Sequence, residues 1–204
     1  IRDATFNITT NTKVTNDEVE KKRKHRIQVA NAAAALFYFQ NLYKLPSAGG
    51  ARQHLIQTRG FSTSLIKQVC LGYATSQSQS LVQHLKSLGF TPEEIVDSGL
   101  AKLIVTDNVN VSHNNTPTLS QSNTNSSTME NTVHQQPKMS YQNLKDRFVN
   151  RIIIPIWDSD GTHIVGFGGR LLLPFKTNNY KYNPPKYLNS PETIVYKKRN
   201  ILFG

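Results

Sequence analysis

The stretch from Asp107 to Ser140 sets the first limit on this chain. It holds seven asparagines among its 34 residues, together with many Ser, Thr and Gln and very few apolar side chains. Such a segment buries too little surface to offset the entropy of ordering it, so residues 107–140 are expected to form a disordered polar insertion. The core must then be assembled from two parts, one on each side. Sequons at Asn110, Asn114 and Asn125 are chance products of so biased a composition. His113 and His134 also lie there and, with no partners in a fixed frame, are poor metal ligands.

The part before the insertion has helical punctuation. Residues 1–16 read as a polar linker without period. Thr15 and Glu18 have the spacing of a capping box, and Glu20 to Tyr43 then reads as one long helix. Val29, Ala33, Leu36, Phe37, Phe39, Leu42 and Tyr43 supply its expected apolar face. Its opening charge run, Lys21 to Arg26, reads as solvated first turns, with phosphate contact as the rival. Shorter helices are expected over Ala51–Thr58, after the Ser62 cap with Leu65, Ile66 and Val69 inward, and over about Ser80–Leu88. Another begins at Thr91-Pro92-Glu93-Glu94, which joins a capping box to a proline in the first turn, and it closes at Gly99. Leu100 to Val105 starts an extended segment.

After the insertion the period changes to that of β-structure. Arg151 to Trp157 is an apolar strand, Asp158-Ser159-Asp160-Gly161 a hairpin turn, and His163 to Leu173 the returning strand. Pro155 marks an edge or a bulge, because it has no N–H to give a ladder. The expected fold class is α+β: a helical half over 17–106, then a small antiparallel β-sheet within a basic half over 141–204.

Charge and cysteine usage narrow the function. The 24 Lys+Arg against 13 Asp+Glu give a net charge of +11 and a pI near 9.8, pointing to a polyanionic partner. Residues 141–204 carry 10 of the basic and 4 of the acidic residues, a net +6, interleaved with Tyr180, Tyr182, Tyr187, Tyr196 and Phe203. Cations for phosphates and rings for bases form a nucleic-acid groove; the rival is a solvated basic face over core aromatics. A single cysteine, Cys70, excludes an intrachain disulfide framework and a Cys-rich zinc site. The longest apolar run, Val29 to Phe39, is 11 residues, too short to span a bilayer. The chain opens at Ile1 and ends at Gly204, and reads as a piece of something longer.

Three motifs need weighing. Asp158 and Asp160 fit a tight turn better than a metal pair, since an EF-hand loop needs further ligands and a glutamate. Gly166-Phe167-Gly168-Gly169-Arg170 is no dinucleotide fingerprint, because Leu171 stands where the third glycine belongs and no helix pattern follows. It reads as a strand whose small residues admit a close approach to the backbone, with Arg170 displayed beside them. Lys186 to Thr193 offers a cation, a ring, an amide, a hydroxyl and a rigid turn in eight residues.

Those strings carry a resemblance. Arg147-Phe148, Arg151, Pro155-Ile156, Asp158, Gly161, Gly166 to Arg170, Pro185 to Thr193, Lys198 and Leu202-Phe203-Gly204 resemble the catalytic core of bacterial-type DNA primases, the DnaG family. Upstream, Ala51-Arg52, Leu55, Arg59-Gly60, Leu71 to Ala74, Leu88 to Phe90 and Ser98 to Leu100 follow the helical half of that core. The resemblance covers residues 27–204 apart from the insertion, and implies the amino-terminal subdomain of the core. It implies a basic surface for single-stranded DNA template and RNA–DNA hybrid, carried by Arg59, Arg147, Arg170, Lys186, Tyr187, Asn189 and Lys198. The arginines would fork onto phosphates and Lys186 and Lys198 would act as point charges toward template, hybrid or incoming ribonucleoside triphosphate. Tyr187 would stack or hydrogen-bond, and Asn189 would hydrogen-bond the backbone.

The resemblance also bounds what this segment does. Family members often carry an arginine where Val149 stands. The whole protein would be a nucleotidyltransferase making short RNA primers for DNA replication, within a primosome and beside a replicative helicase. It would use Mg2+ (or Mn2+) held by Toprim carboxylates and Zn2+ in a separate module. This segment, with neither, is expected to hold no metal, to have no catalytic residue and to be inactive alone. No membrane partner is implied. The Asn-rich insertion suggests a eukaryotic organelle, a plastid or apicoplast before a mitochondrion, with a bacterial cytoplasm as the alternative. The rival functions are a non-catalytic nucleic-acid-binding module, such as a degenerate primase, and an organellar RNA-binding protein.

Overall fold

The structure is a computed structural model, described here for residues 15–104, 143–172 and 184–201. The linker expected at the start and the insertion expected over 107–140 fall outside those residues, apart from Thr15 and Asn16.

Helix α1 runs from Asn16 to Lys44. It starts as its sequence requires: the Thr15 side chain accepts from the Glu18 N–H, and the Glu18 carboxylate accepts from the Thr15 N–H. A 3-10 turn at Pro46–Ala48 leads into α2 (Gly49–Gln53), which continues as a wide π-helical turn over His54–Thr58. Arg52 ties this corner down, donating from Nη1 to the carbonyls of Leu42 and Leu45 at the end of α1, at 2.7 and 3.0 Å. Helix α3 (Thr63–Gln68) is capped by Ser62, α4 spans Ser80–Ser87, and α5 (Pro92–Asp97) has the Thr91–Glu94 capping box.

Strands β1 (Gly72–Ala74), β4 (Arg151–Trp157), β5 (Ile164–Leu171) and β6 (Tyr187–Asn189) make one antiparallel sheet in the order β1-β4-β5-β6. Strands β2 (Ala101–Leu103) and β3 (Leu144–Asp146) pair as a separate antiparallel ribbon. The α+β reading therefore holds, with helices first and a small sheet after. Pro155 lies on an interior strand, yet it behaves as an edge residue. Its cross-strand partner Phe167 gives both backbone groups to Ser190, so the side of Pro155 without a donor faces away from β5. On that side β1 pairs only as far as Ile153. The irregularity expected nearby falls one residue on, between Ile156 and Trp157.

Helix α1 covers one face of the sheet, but with a different stripe from the expected one. Ile27, Ala30, Asn31, Ala34, Ala35, Tyr38, Asn41 and Leu42 are buried, whereas Val29, Leu36 and Tyr43 are exposed. The reason is the distance of approach. A methyl group on Gly72 would stand 2.5 Å from Tyr38 Cβ and 2.7 Å from the Tyr38 carbonyl carbon, so α1 rests on β1 almost backbone to backbone. Tyr38 meets β1 there through its Cβ and backbone, and Ala30, Ala34 and Ala35 keep the rest of the buried stripe small. Asn31 donates from Nδ2 to the Ile164 carbonyl of β5 at 3.0 Å, which admits a polar side chain to the same stripe. Leu65, expected inward on α3, is also exposed, while Ile66 is buried.

The charge run at the start of α1 is in part structural. Arg26 grips Glu94 of α5 through Nε and Nη2 at 2.6 and 2.8 Å and lies 4.6 Å from the centre of the Phe90 ring; Arg23 pairs with Asp97 at 2.8 Å. Lys21, Lys22 and His25 stay exposed.

The Asp158 turn is a hairpin, as expected. The Asp158 carboxylate accepts from the Thr162 N–H at 2.8 Å, the Thr162 hydroxyl at 3.0 Å and the His163 N–H at 3.2 Å, with His163 Nδ1 at 3.1 Å. Burial pushes this carboxyl up, but the hydrogen bonds from His163 and Thr162 outweigh burial and hold it at about 2. The unfolded group titrates near about 3.9. Because the folded value is the lower one, the turn's contribution is whole above pH of about 4 and is lost as pH falls toward about 2. Asp158→Asn is expected to flatten that acid limb in urea midpoints measured against pH; a limb identical to the wild type would contradict the assignment.

Candidate nucleic-acid interface

The face of the sheet turned away from α1 is only half covered. Tyr73, Ile152 and Ile154 on β1 and β4 pack with Leu55, Ile66 and Leu71 beneath the α2–α3 corner. Further along, the cross-strand row runs from Ile152 to Arg170 to Tyr187, and the row beside it from Ile154 to Gly168 to Asn189. The β5–β6 end of this face thus displays a guanidinium, a phenol ring and an amide.

Tyr187 is 55% exposed. The Arg170 guanidinium carbon lies 5.9 Å from its ring centre and Lys186 Nζ 5.8 Å from it, so two cations bracket one ring. The π-helical turn brings further groups to the same place. Its wide bond, from the Arg59 N–H to the His54 carbonyl at 3.0 Å, sets two residues five apart on one side of the helix. His54, Arg59, Phe61, Ile154, Arg170 and Tyr187 line a hollow of about 390 Å³ there. A second hollow, of about 430 Å³, runs from His54 and Thr58 past Arg170 to Lys186. Burial pushes the His54 imidazole down, and the charges of Arg170 and Arg59 push it the same way.

Four of the seven expected residues, Arg59, Arg170, Lys186 and Tyr187, therefore meet around these hollows. Arg147 and Asn189 meet separately: the Arg147 guanidinium donates from Nε and Nη2 to the Asn189 carbonyl at 3.0 and 2.8 Å. Burial lowers the Arg147 guanidinium from its ordinary value. Lys198 stands apart, in a 3-10 turn over Lys198–Asn200, where its N–H donates to the Glu192 carboxylate at 3.1 Å. It lines none of these hollows.

The glycine string serves the interior of the protein. A methyl group on Gly169 would stand 2.6 Å from Phe148 Cδ1, and one on Gly166 would stand 3.2 Å from Ser190 Cβ. What approaches this backbone is the protein's own Phe148 and Ser190. Arg151, beneath it, is 4% exposed. Its Nη1 donates to the Gly169 carbonyl at 3.2 Å and its Nη2 to the Pro185 carbonyl at 2.9 Å, joining β4 to β5 and to the approach of β6. Sequence reasoning assigned no role to His54 or Arg151. The partners of Arg151 come from distant strands, and His54 is set in place by the π-helical turn, so neither role is signalled locally.

Residues 108–204 match the model of the DNA primase catalytic core, N-terminal domain. The chain belongs to the bacterial-type, or DnaG, family of DNA primases. It is 30% identical to the DNA primase of Clostridium acetobutylicum over 184 residues, 90% of this chain and 23% of that protein. It is 32% identical to the DNA primase of Synechococcus elongatus over 182 residues, 89% and 20% respectively. The chain thus spans about a fifth to a quarter of the length of these curated relatives. Among solved structures it resembles the RNA polymerase domain of Mycobacterium tuberculosis primase DnaG in complex with double-stranded DNA. That match has a TM-score of 0.61 at 30% identity, covering 85% of this chain and 41% of the other. A DnaG primase catalytic domain bound to single-stranded DNA matches with a TM-score of 0.57 at 25% identity, covering 87% and 41%. In this DnaG-type subdomain the half-covered face of the sheet is the candidate interface. No helix among the described residues is long and apolar enough to cross a membrane.

Proposed function

We propose that this subdomain holds single-stranded DNA template, and the RNA–DNA hybrid formed on it, against the outer face of β5 and β6. It would act as one part of a primase that makes short RNA primers for DNA replication. The observation that carries the reading is the convergence of Arg59, Arg170 and Lys186 on the exposed Tyr187 ring, an arrangement of cations around a stacking platform. The primase domains above whose complexes hold DNA support it. Arg170 supplies a planar fork for phosphate, Lys186 a point charge, and Tyr187 a surface that any base can stack on, so recognition is indifferent to sequence.

The phosphoryl-transfer step belongs to other residues of the whole protein. Metal-held phosphates need clustered carboxylates, and among the described residues His, Cys, Asp and Glu nowhere gather in groups of three or more. On this reading the subdomain's share is to bind and orient. Ribonucleoside triphosphates, a replicative helicase and an organellar setting enter the proposal only through the whole protein.

Binding of a labelled single-stranded oligonucleotide, followed by anisotropy across salt concentrations, tests this. Affinity is expected to fall with salt at about 0.7 log units per log unit of salt for each phosphate engaged. Arg170→Ala should reduce the slope by about 0.7. Tyr187→Ala should leave the slope intact but weaken binding roughly 5- to 150-fold, the value of about 1–3 kcal/mol per stacked base. Salt-independent binding, or wild-type affinity in both variants, would overturn the proposal.

A further inference from the structure

Strands β2 and β3 stand at the rim of a third hollow, of about 290 Å³, lined by Lys102, Lys145, Arg147, Val149, Pro185 and Leu188 among others. Their register sets Lys102 directly opposite Lys145. Both side chains are exposed, and among the described residues neither has an ion pair or a hydrogen bond. Like charges directly opposite across an antiparallel pair destabilise it. The nearest carboxylate does not relieve them. Asp146 points inward, where it accepts from the Leu81 and Val82 N–H groups at 2.9 Å each and from the Ser80 hydroxyl at 3.2 Å. Val149 brings no charge to the hollow, and Arg147 adds a third cation.

Two ammonium groups held face to face beside a guanidinium, with no carboxylate paired to them among the described residues, suit an anion supplied from outside. The position of the hollow says which. It shares Leu171 with the hollow that holds Arg170 and Lys186, and Pro185 adjoins Lys186, so the two hollows meet at the start of β6. No exposed ring stands among its lining residues, so it offers charge without a stacking platform. We propose that Lys102 and Lys145 grip successive backbone phosphates of a single-stranded nucleic acid that passes from the Arg170–Tyr187 face into this second hollow. The inference rests on the proposed function, and extends the binding track from the four-stranded sheet to the β2–β3 ribbon.

The test uses the full chain, oligothymidylates of about 6 and about 16 nucleotides, and the Lys102→Gln/Lys145→Gln double variant. The short strand fills the Arg170–Tyr187 face alone, so the double variant should bind it as the wild type does. For the long strand the variant should bind at least fivefold more weakly at low salt, with a log–log salt slope smaller by about 1.4, the share of two phosphate contacts. Its melting temperature should be unchanged or higher, since a like-charge pair has been removed. Lys102→Arg/Lys145→Arg should restore long-strand binding. Wild-type affinity and slope for the long strand, or an equal loss for both lengths, would overturn the track while leaving the Arg170–Tyr187 site in place. Wild-type protein without salt-dependent binding would overturn both readings.

Discussion

Gly72→Ala should cost the protein roughly 3 kcal/mol or more of stability, enough to threaten a fold held by the usual 5–15 kcal/mol or so. The added methyl group meets Tyr38 Cβ at 2.5 Å, the Tyr38 carbonyl carbon at 2.7 Å and the Phe39 nitrogen at 3.0 Å. Two of those three atoms are backbone within α1, so no rotamer change relieves the clash; the helix itself must move off β1. That helix also holds β5 through Asn31 and carries α5 through Arg23 and Arg26, so the displacement spreads. Gly50→Ala is the control. Gly50 lies in α2 with open space around it, and the change is expected to gain about 0.5–1 kcal/mol from helix propensity. Urea unfolding followed by circular dichroism measures both. A Gly72→Ala midpoint equal to that of the wild type would refute the close seat of α1 on the sheet.

Asp146→Ala is expected to be the next most damaging change, at about 3 kcal/mol. Asp146 is 3% exposed and serves as the missing N-terminal cap of α4, from a strand 65 residues away. Its removal leaves the buried N–H groups of Leu81 and Val82 without acceptors, at about 1–3 kcal/mol each before relaxation. Burial raises the Asp146 carboxyl above its ordinary value, against the hydrogen bonds from Leu81, Val82 and Ser80 that lower it. The sign is therefore opposite to that of Asp158. With the folded value above the unfolded one, the native state holds its proton more tightly, and this group's contribution falls as pH rises through that window. Asp146→Asn, which keeps one acceptor oxygen, should lose less than Asp146→Ala and should remove that fall. Equal stability of the alanine variant and the wild type would show that α4 needs no cap from β3.

Where an element is decided by neighbours in sequence, reading the sequence was enough. Both capping boxes, the Ser62 cap and the Asp158 hairpin form as expected, because each closes within about five residues. The buried stripe of α1 was misread for the converse reason. Bulk and hydrophobicity favoured Val29 and Leu36, but the close approach at Gly72 turns the side of the helix that carries Ala30, Ala34 and Tyr38 inward, and nothing within α1 announces that glycine. Strands β1, β3 and β6 have three residues each, too few to show alternation. Tyr187–Asn189, for which no strand was expected, pairs along the edge that β5 offers it. At the candidate interface the cations and the ring came from ordered strings that the family shares. His54, Lys102 and Lys145 escaped notice because a π-turn and a ribbon register place them, and neither is written in local residue choice.

The buried clamp at Arg151 bears on how the interface carries load. A single-stranded nucleic acid seated on Lys186 and Tyr187, as proposed above, would pull on an edge strand of three residues, which by itself would peel. Arg151 fastens the approach to that strand, at Pro185, to the middle of the sheet, and Arg147 fastens its far end, at Asn189. Tension on such a strand would thus be passed at two points to β4 and to the turn between β3 and β4. With these anchors added to its pairing with β5, a three-residue surface strand is tied into the sheet more like an interior one.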